Sequence, residues 1–254
     1  MNTKLKAKLA KYLIAIGDDE LVLAHRDSEW CGHAPILEED IAFANISLDE
    51  IGHARLWYEI AAELLGEDKA TYPDQLAFFR SASQFHSIQM NSLPNGDWAF
   101  TMLRQFLFDS AEVPRLEGLV ESSHKPLAEA AVKIRNEEIY HLRHTSAWVK
   151  RLGLGTEESN RRMQVALDEL WSYAQQLFLP IDGEVDLVAA GLVPDSAEIK
   201  SAWLESVVPS LEQADLIIPD EGPPPRDRSV QTQHLAHLIT EMQSVARLEP
   251  QGRW

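Results

Sequence analysis

Cysteine is almost missing from this chain: Cys31 is the only one in 254 residues. No intrachain disulfide can form, and such thiol poverty fits a reducing compartment. Basic side chains are also scarce, 23 against 40 acids, which leaves a formal net charge of −17. A surface of that sign repels a phosphate backbone and argues against nucleic-acid partners. The one lysine cluster, Lys4, Lys6, Lys8 and Lys11, is too small to reverse it. No apolar run approaches the roughly 20 residues of a membrane span. The opening segment has a lysine-rich start, but its apolar stretch Tyr12–Ile16 is short and no small-residue cleavage site follows, so a signal peptide is not expected. The expectation is a cytoplasmic chain, away from membranes. With 45% hydrophobic and 25% charged residues, the composition is that of a packed core and not of a disordered segment.

What is present is helical periodicity, with no strand pattern. Leu5, Leu9, Tyr12, Leu13 and Ile16 recur at steps of three and four, and the segment continues to about Trp30. A second runs from about Ile36 to Leu65, through Ile41, Phe43, Ile46, Leu48, Ile51, Trp57 and Ile60, with Gly66 as its C-cap. Residues 67–96 form a crossover with a short amphipathic piece near Asp74–Phe85, ending in the turn Pro94-Asn95-Gly96. Asp97 caps a third segment to about Ser122 that contains Pro114, where a kink is expected. A fourth reaches about Leu152, and Thr156 opens a fifth to about Phe178. Shorter helices are expected near 184–190, 196–214 and 231–247, with a loop holding prolines 223, 224 and 225 before the last. Helices near 30 residues in two hairpins predict an all-α, four-helix bundle fold. It is read as one domain over 1–254, its core bundle at about 3–152 and a C-terminal helical extension at about 156–254.

Each hairpin carries Glu-x-x-His: Glu50 with His53, and Glu138 with His141. That spacing puts carboxylate and imidazole on one helical face. With 24 glutamates and 9 histidines, chance alone supplies about one such motif, and a third copy, Glu121 with His124, falls in a turn. Depth along the hairpin is the stronger argument. If the first turn is centred near residue 35, Glu50 lies opposite Glu20; if the second is centred near 124, Glu138 lies opposite about position 110, where Asp109 stands with Glu112 in reserve. One acid from each of two helices plus Glu-x-x-His from each of the others is the ligand set of ferritin-like di-iron and di-manganese carboxylate proteins. Bridging carboxylates hold two mutually repelling cations together, and imidazole is a donor suited to iron. The candidate metal ligands are therefore Glu20, Glu50, His53, Asp109, Glu138 and His141, for two metal ions; a di-iron pair is the expected cofactor, though manganese or a mixed pair accepts the same ligands.

Taken singly, each residue has a plainer reading. Glu20 alone is one solvated acid among many, and His53 or His141 alone is a buried partner of a carbonyl or carboxylate. Jointly they could persist as a buried polar network without metal. Tyr140 reads as a packing residue, and Trp30 and Cys31 as core. His25, His33, His144, His234 and His237 have no matched partners and stay unassigned.

Several runs then carry a resemblance: Glu29-Trp-Cys-Gly-His-Ala-Pro35, Ala44-Asn-Ile-Ser-Leu-Asp-Glu-Ile-Gly-His-Ala-Arg55, Leu93-Pro-Asn-Gly-Asp-Trp-Ala99 and Arg104-Gln-Phe-Leu-Phe-Asp109. Tyr140-His-Leu-Arg143 and the tail from Glu241 to Trp254 add to it. Together they resemble the C-type subunits of bacterial phenylacetyl-CoA epoxidases, multicomponent monooxygenases of phenylacetate breakdown, from about residue 12 to the end. The resemblance implies a ferritin-like fold and a cytoplasmic assembly. In that assembly a related A-type subunit holds the catalytic di-iron site, epoxidises the ring of phenylacetyl-CoA with O₂ and receives electrons through a reductase component. It implies that the C-type subunit pairs with the A-type one and is structural, its own metal site incomplete. The full set of six candidate ligands here departs from that pattern. The alternative expectation is a chain that is itself a catalytic di-iron oxidase or oxygenase; an iron-storage cage fits the irregular C-terminal third less well.

Overall fold

The computed structural model describes residues 1–220, 222, 227–250 and 252. The proline run 223–225 and, in the tail motif, Gln251, Arg253 and Trp254 lie outside the described residues. In chain order the helices are α1 Thr3–Ser28, α2 Leu37–Leu65, α3 Tyr72–Phe78, α4 Gln89–Ser92, α5 Trp98–Val120, α6 Lys125–Gly153, α7 Glu157–Ala174, α8 Glu184–Ala189, α9 Ser196–Gln213, α10 Gln233–Met242 and α11 Ser244–Leu248. Two 3-10 turns, Ala82–Gln84 and Gln175–Phe178, complete the set, and among the described residues there is no strand. The chain is all-α, of the ferritin-like class expected from its two long hairpins.

Local chemistry sets the helix ends. Gly66 closes α2 in the left-handed region at φ 78°, where its lack of a Cβ removes the steric penalty. Asp97 accepts from the Phe100 N–H at 3.0 Å and starts α5; Thr156 accepts from the Ser159 N–H at 3.1 Å and starts α7. Helix α5 continues through Pro114 without ending. The final helix expected at 231–247 is instead two, α10 and α11, parted at Gln243.

The helices gather into two compact units. The first holds the α1–α2 hairpin, the connecting segment to Pro94, residues 181–183 and the chain from Arg228 onward. Its core joins Leu21 and Val22 of α1, Ala54 and Tyr58 of α2, Leu76 of α3, Phe85, and Leu235, Leu238 and Ile239 of α10. The second holds α5–α9. There Trp203 of α9 stacks on Trp171 of α7 at 5.1 Å, touches Phe178 and donates its indole N–H to the Leu107 carbonyl at 3.0 Å. Residues after 156 therefore serve both units.

Helix α2 is apolar on two faces. Phe43, Ile46, Ala54, Trp57 and Tyr58 are buried, whereas Leu37, Ile41, Leu48 and Ile51 are 43–73% exposed. With Ala44 between them, these outer residues follow the alternating four-three spacing of a helix-pairing seam. Cys31 is exposed and Trp30 only half-buried, so neither belongs to the core as expected. They lie in the tight turns after α1, held by Trp30 N–H to the Asp27 carbonyl and His33 N–H to the Trp30 carbonyl, with Gly32 at φ 79°. Tyr140, read as packing, is also exposed on the outer face of α6.

Two glycines should respond in opposite ways. A Cβ at Gly153 would run into the Ala214 backbone carbonyl, which cannot yield, whereas one at Gly52 meets nothing within 4 Å. Gly153→Ala should cost about 1–3 kcal/mol. Gly52→Ala should add about 0.5–1 kcal/mol by removing glycine from a helix interior. Thermal melts followed by helical circular dichroism should show the two midpoints moving apart.

Candidate metal centre

Residues 15–24 of α1 are all buried, so the acidic triplet Asp18-Asp19-Glu20 has no side facing water. Successive residues project about 100° apart on a helix, which sends the three acids to different neighbours. Asp18 accepts from the Tyr58 hydroxyl at 2.6 Å, from the His86 N–H at 2.8 Å and from the Arg80 guanidinium. Burial and the Asp18 charge hold the Tyr58 phenol well above its ordinary pKa, so it stays a donor. Asp19 accepts from the Ile88 N–H and from Arg228, each at 2.7 Å.

Glu20 meets α2 instead. Antiparallel register brings Ala24 beside Ser47, whose hydroxyl donates to the Ala24 carbonyl at 2.8 Å, and Asp18 beside Tyr58. Glu20 thereby lies level with Glu50 and His53, all three at most 1% exposed. His53 Nδ1 is 3.7 Å from Glu20 Oε2 and 3.9 Å from Glu50 Oε2. Both distances exceed the length of a hydrogen bond. One ligand atom from each of the three lies within 4.8 Å of the other two.

In the second unit, α5 and α6 hold the other candidates, each fully buried. Glu138 Oε1 is 3.2 Å from His141 Nδ1. Asp109 accepts from Gln105 Nε2 at 2.8 Å and from the Thr145 hydroxyl at 2.9 Å, one donor on each oxygen. Burial, reinforced by the Glu138 charge, pushes the Asp109 carboxyl well above the usual carboxylate range; His141, Thr145 and Gln105 pull the other way without prevailing. A nearby cation would reverse that balance by favouring the ionised form. Glu112, the reserve residue, is occupied. It pairs with Arg115, which also donates to the Leu177 carbonyl at 3.1 Å. An acid neutralised inside the protein is no spare ligand.

Whether these residues suit a metal is tested by Glu20. Neither of its oxygens has a hydrogen-bond partner among the described residues. A buried carboxylate in that state is expensive unless a cation meets it. Glu20, Glu50 and His53 supply the oxygen and nitrogen donors that a divalent first-row metal accepts. The buried Glu/His cluster fits a metal ion. Gln105 and Thr145 were missed from sequence although their spacing could have exposed them: each sits four residues along its helix, from Asp109 and His141 respectively.

A neutral isostere isolates the penalty. Glu20→Gln should raise the unfolding temperature of the metal-free chain by the equivalent of about 1–2 kcal/mol, because it removes a buried charge and keeps the shape. The same variant should lose any metal-induced rise in melting temperature. Calorimetry with and without added metal reads both effects.

The whole chain, residues 1–254, matches the family model described as phenylacetic acid catabolic protein. It is 37% identical to the C-type subunit of the 1,2-phenylacetyl-CoA epoxidase of Escherichia coli (strain K12) over 249 residues, which is 97% of this chain and 99% of that one. It is also 27% identical to the A-type subunit of the same enzyme and organism over 206 residues, 79% of this chain and 65% of that one. The chain belongs to the phenylacetic acid catabolic protein family.

Proposed function

We propose that this chain is a C-type subunit of a phenylacetyl-CoA epoxidase complex in aerobic phenylacetate breakdown. In this reading it pairs with an A-type catalytic subunit, and it keeps a di-iron site of its own. The observation that carries the reading is the end-to-end match to the C-type relative, which leaves almost none of that relative unaligned. The exposed seam Leu37, Ile41, Leu48 and Ile51 on α2 supports a partner, since a contiguous apolar stripe of this length is uncommon on a chain that acts alone. Its occupant is assigned to the A-type subunit, itself a relative of this chain. Phenylacetyl-CoA is assigned to the complex as a whole, and its place to the cytoplasm. Among the described residues no helix is long and apolar enough to cross a membrane.

The proposed ligands are Glu20, Glu50, His53, Asp109, Glu138 and His141. A bound iron pair would supply one-electron and O₂ chemistry. The chain's own part is to hold it: four carboxylates match the charge of two divalent ions, and two imidazoles add neutral donors. Gln105 and Thr145 fix the Asp109 carboxylate from behind. Around Glu20 and Glu50, burial keeps bulk water from competing for the donors. One observation favours the second reading, a chain that is itself a di-iron oxidase or oxygenase: the donor atoms of Glu20, Glu50 and His53 are fully buried and already gathered.

Two measurements test the pairing and the metal site. Co-expressed with an A-type partner, the chain should co-purify through an interface of roughly 2,000 Å². The Ile41→Glu/Leu48→Glu double variant should abolish co-purification and leave the helical content of the chain unchanged. Retained pairing would remove the seam from the interface. After anaerobic reconstitution, iron should approach two per chain and be lost in the Glu50→Ala/His53→Ala double variant. Iron content that is unaffected by that variant would reject the assigned ligands.

A further inference from the structure

Three consecutive acids on one turn of α1 are buried, and the chain treats them differently. Asp18 faces Arg80 and Asp19 faces Arg228, whereas Glu20 has no hydrogen-bond partner among the described residues. Arg228 reaches Asp19 from 209 positions along the chain. Its Nη1 is 2.7 Å from Asp19 Oδ2 and 3.1 Å from the His86 carbonyl, so one guanidinium ties α1 to the connecting segment. The next residues fasten that tie. Gln231 Nε2 donates to the carbonyls of Ser87 at 3.0 Å and Phe85 at 3.2 Å. Gln89 Nε2 donates to the Val230 carbonyl, and the Ser92 and Thr232 hydroxyls share a hydrogen bond of 2.7 Å. On its other side the same segment grips α1: the His86 and Ile88 amides bond Asp18 and Asp19, and Asn91 Nδ2 donates to the Asp19 carbonyl at 3.0 Å.

We infer that Arg228 is a positioning residue for Glu20. With residues 85–92 and 228–232 it forms a clamp that neutralises Asp19, fixes the rotation of α1 and leaves Glu20 as the acid of the triplet reserved for a cation. The inference rests on the metal-binding reading above. Its physical basis is that a helix gripped at two successive residues about 100° apart cannot turn about its axis. The third carboxylate is then held at one bearing towards Glu50 and His53. Anchors behind a ligand of this kind typically govern metal affinity by about 10–100-fold. Coupling between two sites is reciprocal, so metal held by Glu20 must tighten the clamp as the clamp tightens metal binding.

The test uses the full chain, anaerobic iron(II) titration and amide hydrogen exchange. Arg228→Ala should weaken iron(II) binding by about 10–100-fold. Arg228→Lys, which keeps the charge opposite Asp19, should recover most of that loss. In the unmutated chain, iron(II) should slow exchange at the His86 and Ile88 amides, and Glu20→Gln should abolish the slowing. A folded Arg228→Ala protein that binds iron(II) as tightly as the unmutated chain overturns the inference, even if its melting temperature falls. So does iron binding that leaves the His86 and Ile88 exchange rates unchanged, a measurement that does not depend on Arg228→Ala folding. Failure of the unmutated chain to bind iron(II) is a different result. It overturns the metal reading itself, and the clamp's proposed role with it.

Discussion

A carboxyl group removed from water with no hydrogen-bond partner is among the costliest groups a protein interior can hold, and Glu20 is held in that condition among the described residues. The surrounding structure supplies what keeps it there. Ten successive residues of α1 are buried, so the helix is packed on every side and cannot roll Glu20 out to solvent. Other buried acids are treated in the opposite way: Asp18, Asp19 and Glu112 each meet an arginine. The difference separates two uses of acidic residues in one fold. An acid that meets a guanidinium completes a structural joint, because removing either partner would strand the other. An acid denied such a partner has oxygens that no other side chain occupies.

Much of this was legible in the residues, and the limits of that reading are physical. Caps act over three or four positions, so Gly66, Asp97 and Thr156 announced helix ends that the structure contains. Periodicity announced the long helices for the same reason. Antiparallel hairpins convert sequence distance from a turn into depth, which is how Glu20 was matched to Glu50 and His53 across a turn. Contacts across long separations leave no such trace. Nothing local links Arg228 to Asp19 or Arg80 to Asp18, because each pair is set by how segments pack. Cys31 and Trp30 failed as core residues because hydrophobicity alone cannot tell a buried turn from an exposed one.

Helix α2 shows how one apolar pattern can serve two purposes. Periodicity identified the helix without dividing its apolar residues between faces, and Leu37, Ile41, Leu48 and Ile51 are exposed where Phe43, Ile46 and Trp57 are buried. A helix that is apolar all round is normally buried all round. The exposed half, in four-three spacing, has the pattern of a helix-pairing seam, which is what the proposed interface draws on. Likeness to both the C-type and the A-type relative adds a reason to expect such pairing, since the two belong to one enzyme and both share sequence with this chain. The exposed stripe and the buried Glu/His residues share α2: Ile51 lies between Glu50 and His53 in sequence and is exposed where they are buried.

A buried carboxylate makes different demands of a protein with and without a cation beside it. Without one its charge is resisted by a low-dielectric interior, and in the second unit burial and the neighbouring Glu138 favour a proton on Asp109. Two divalent ions would cancel the same charge without protons. Protons or metal ions would each lower that cost. A chain that served only as a scaffold would gain stability by exchanging these acids for apolar residues of similar size. That acids stand at these buried positions accords with the fit of the Glu/His cluster to a metal ion.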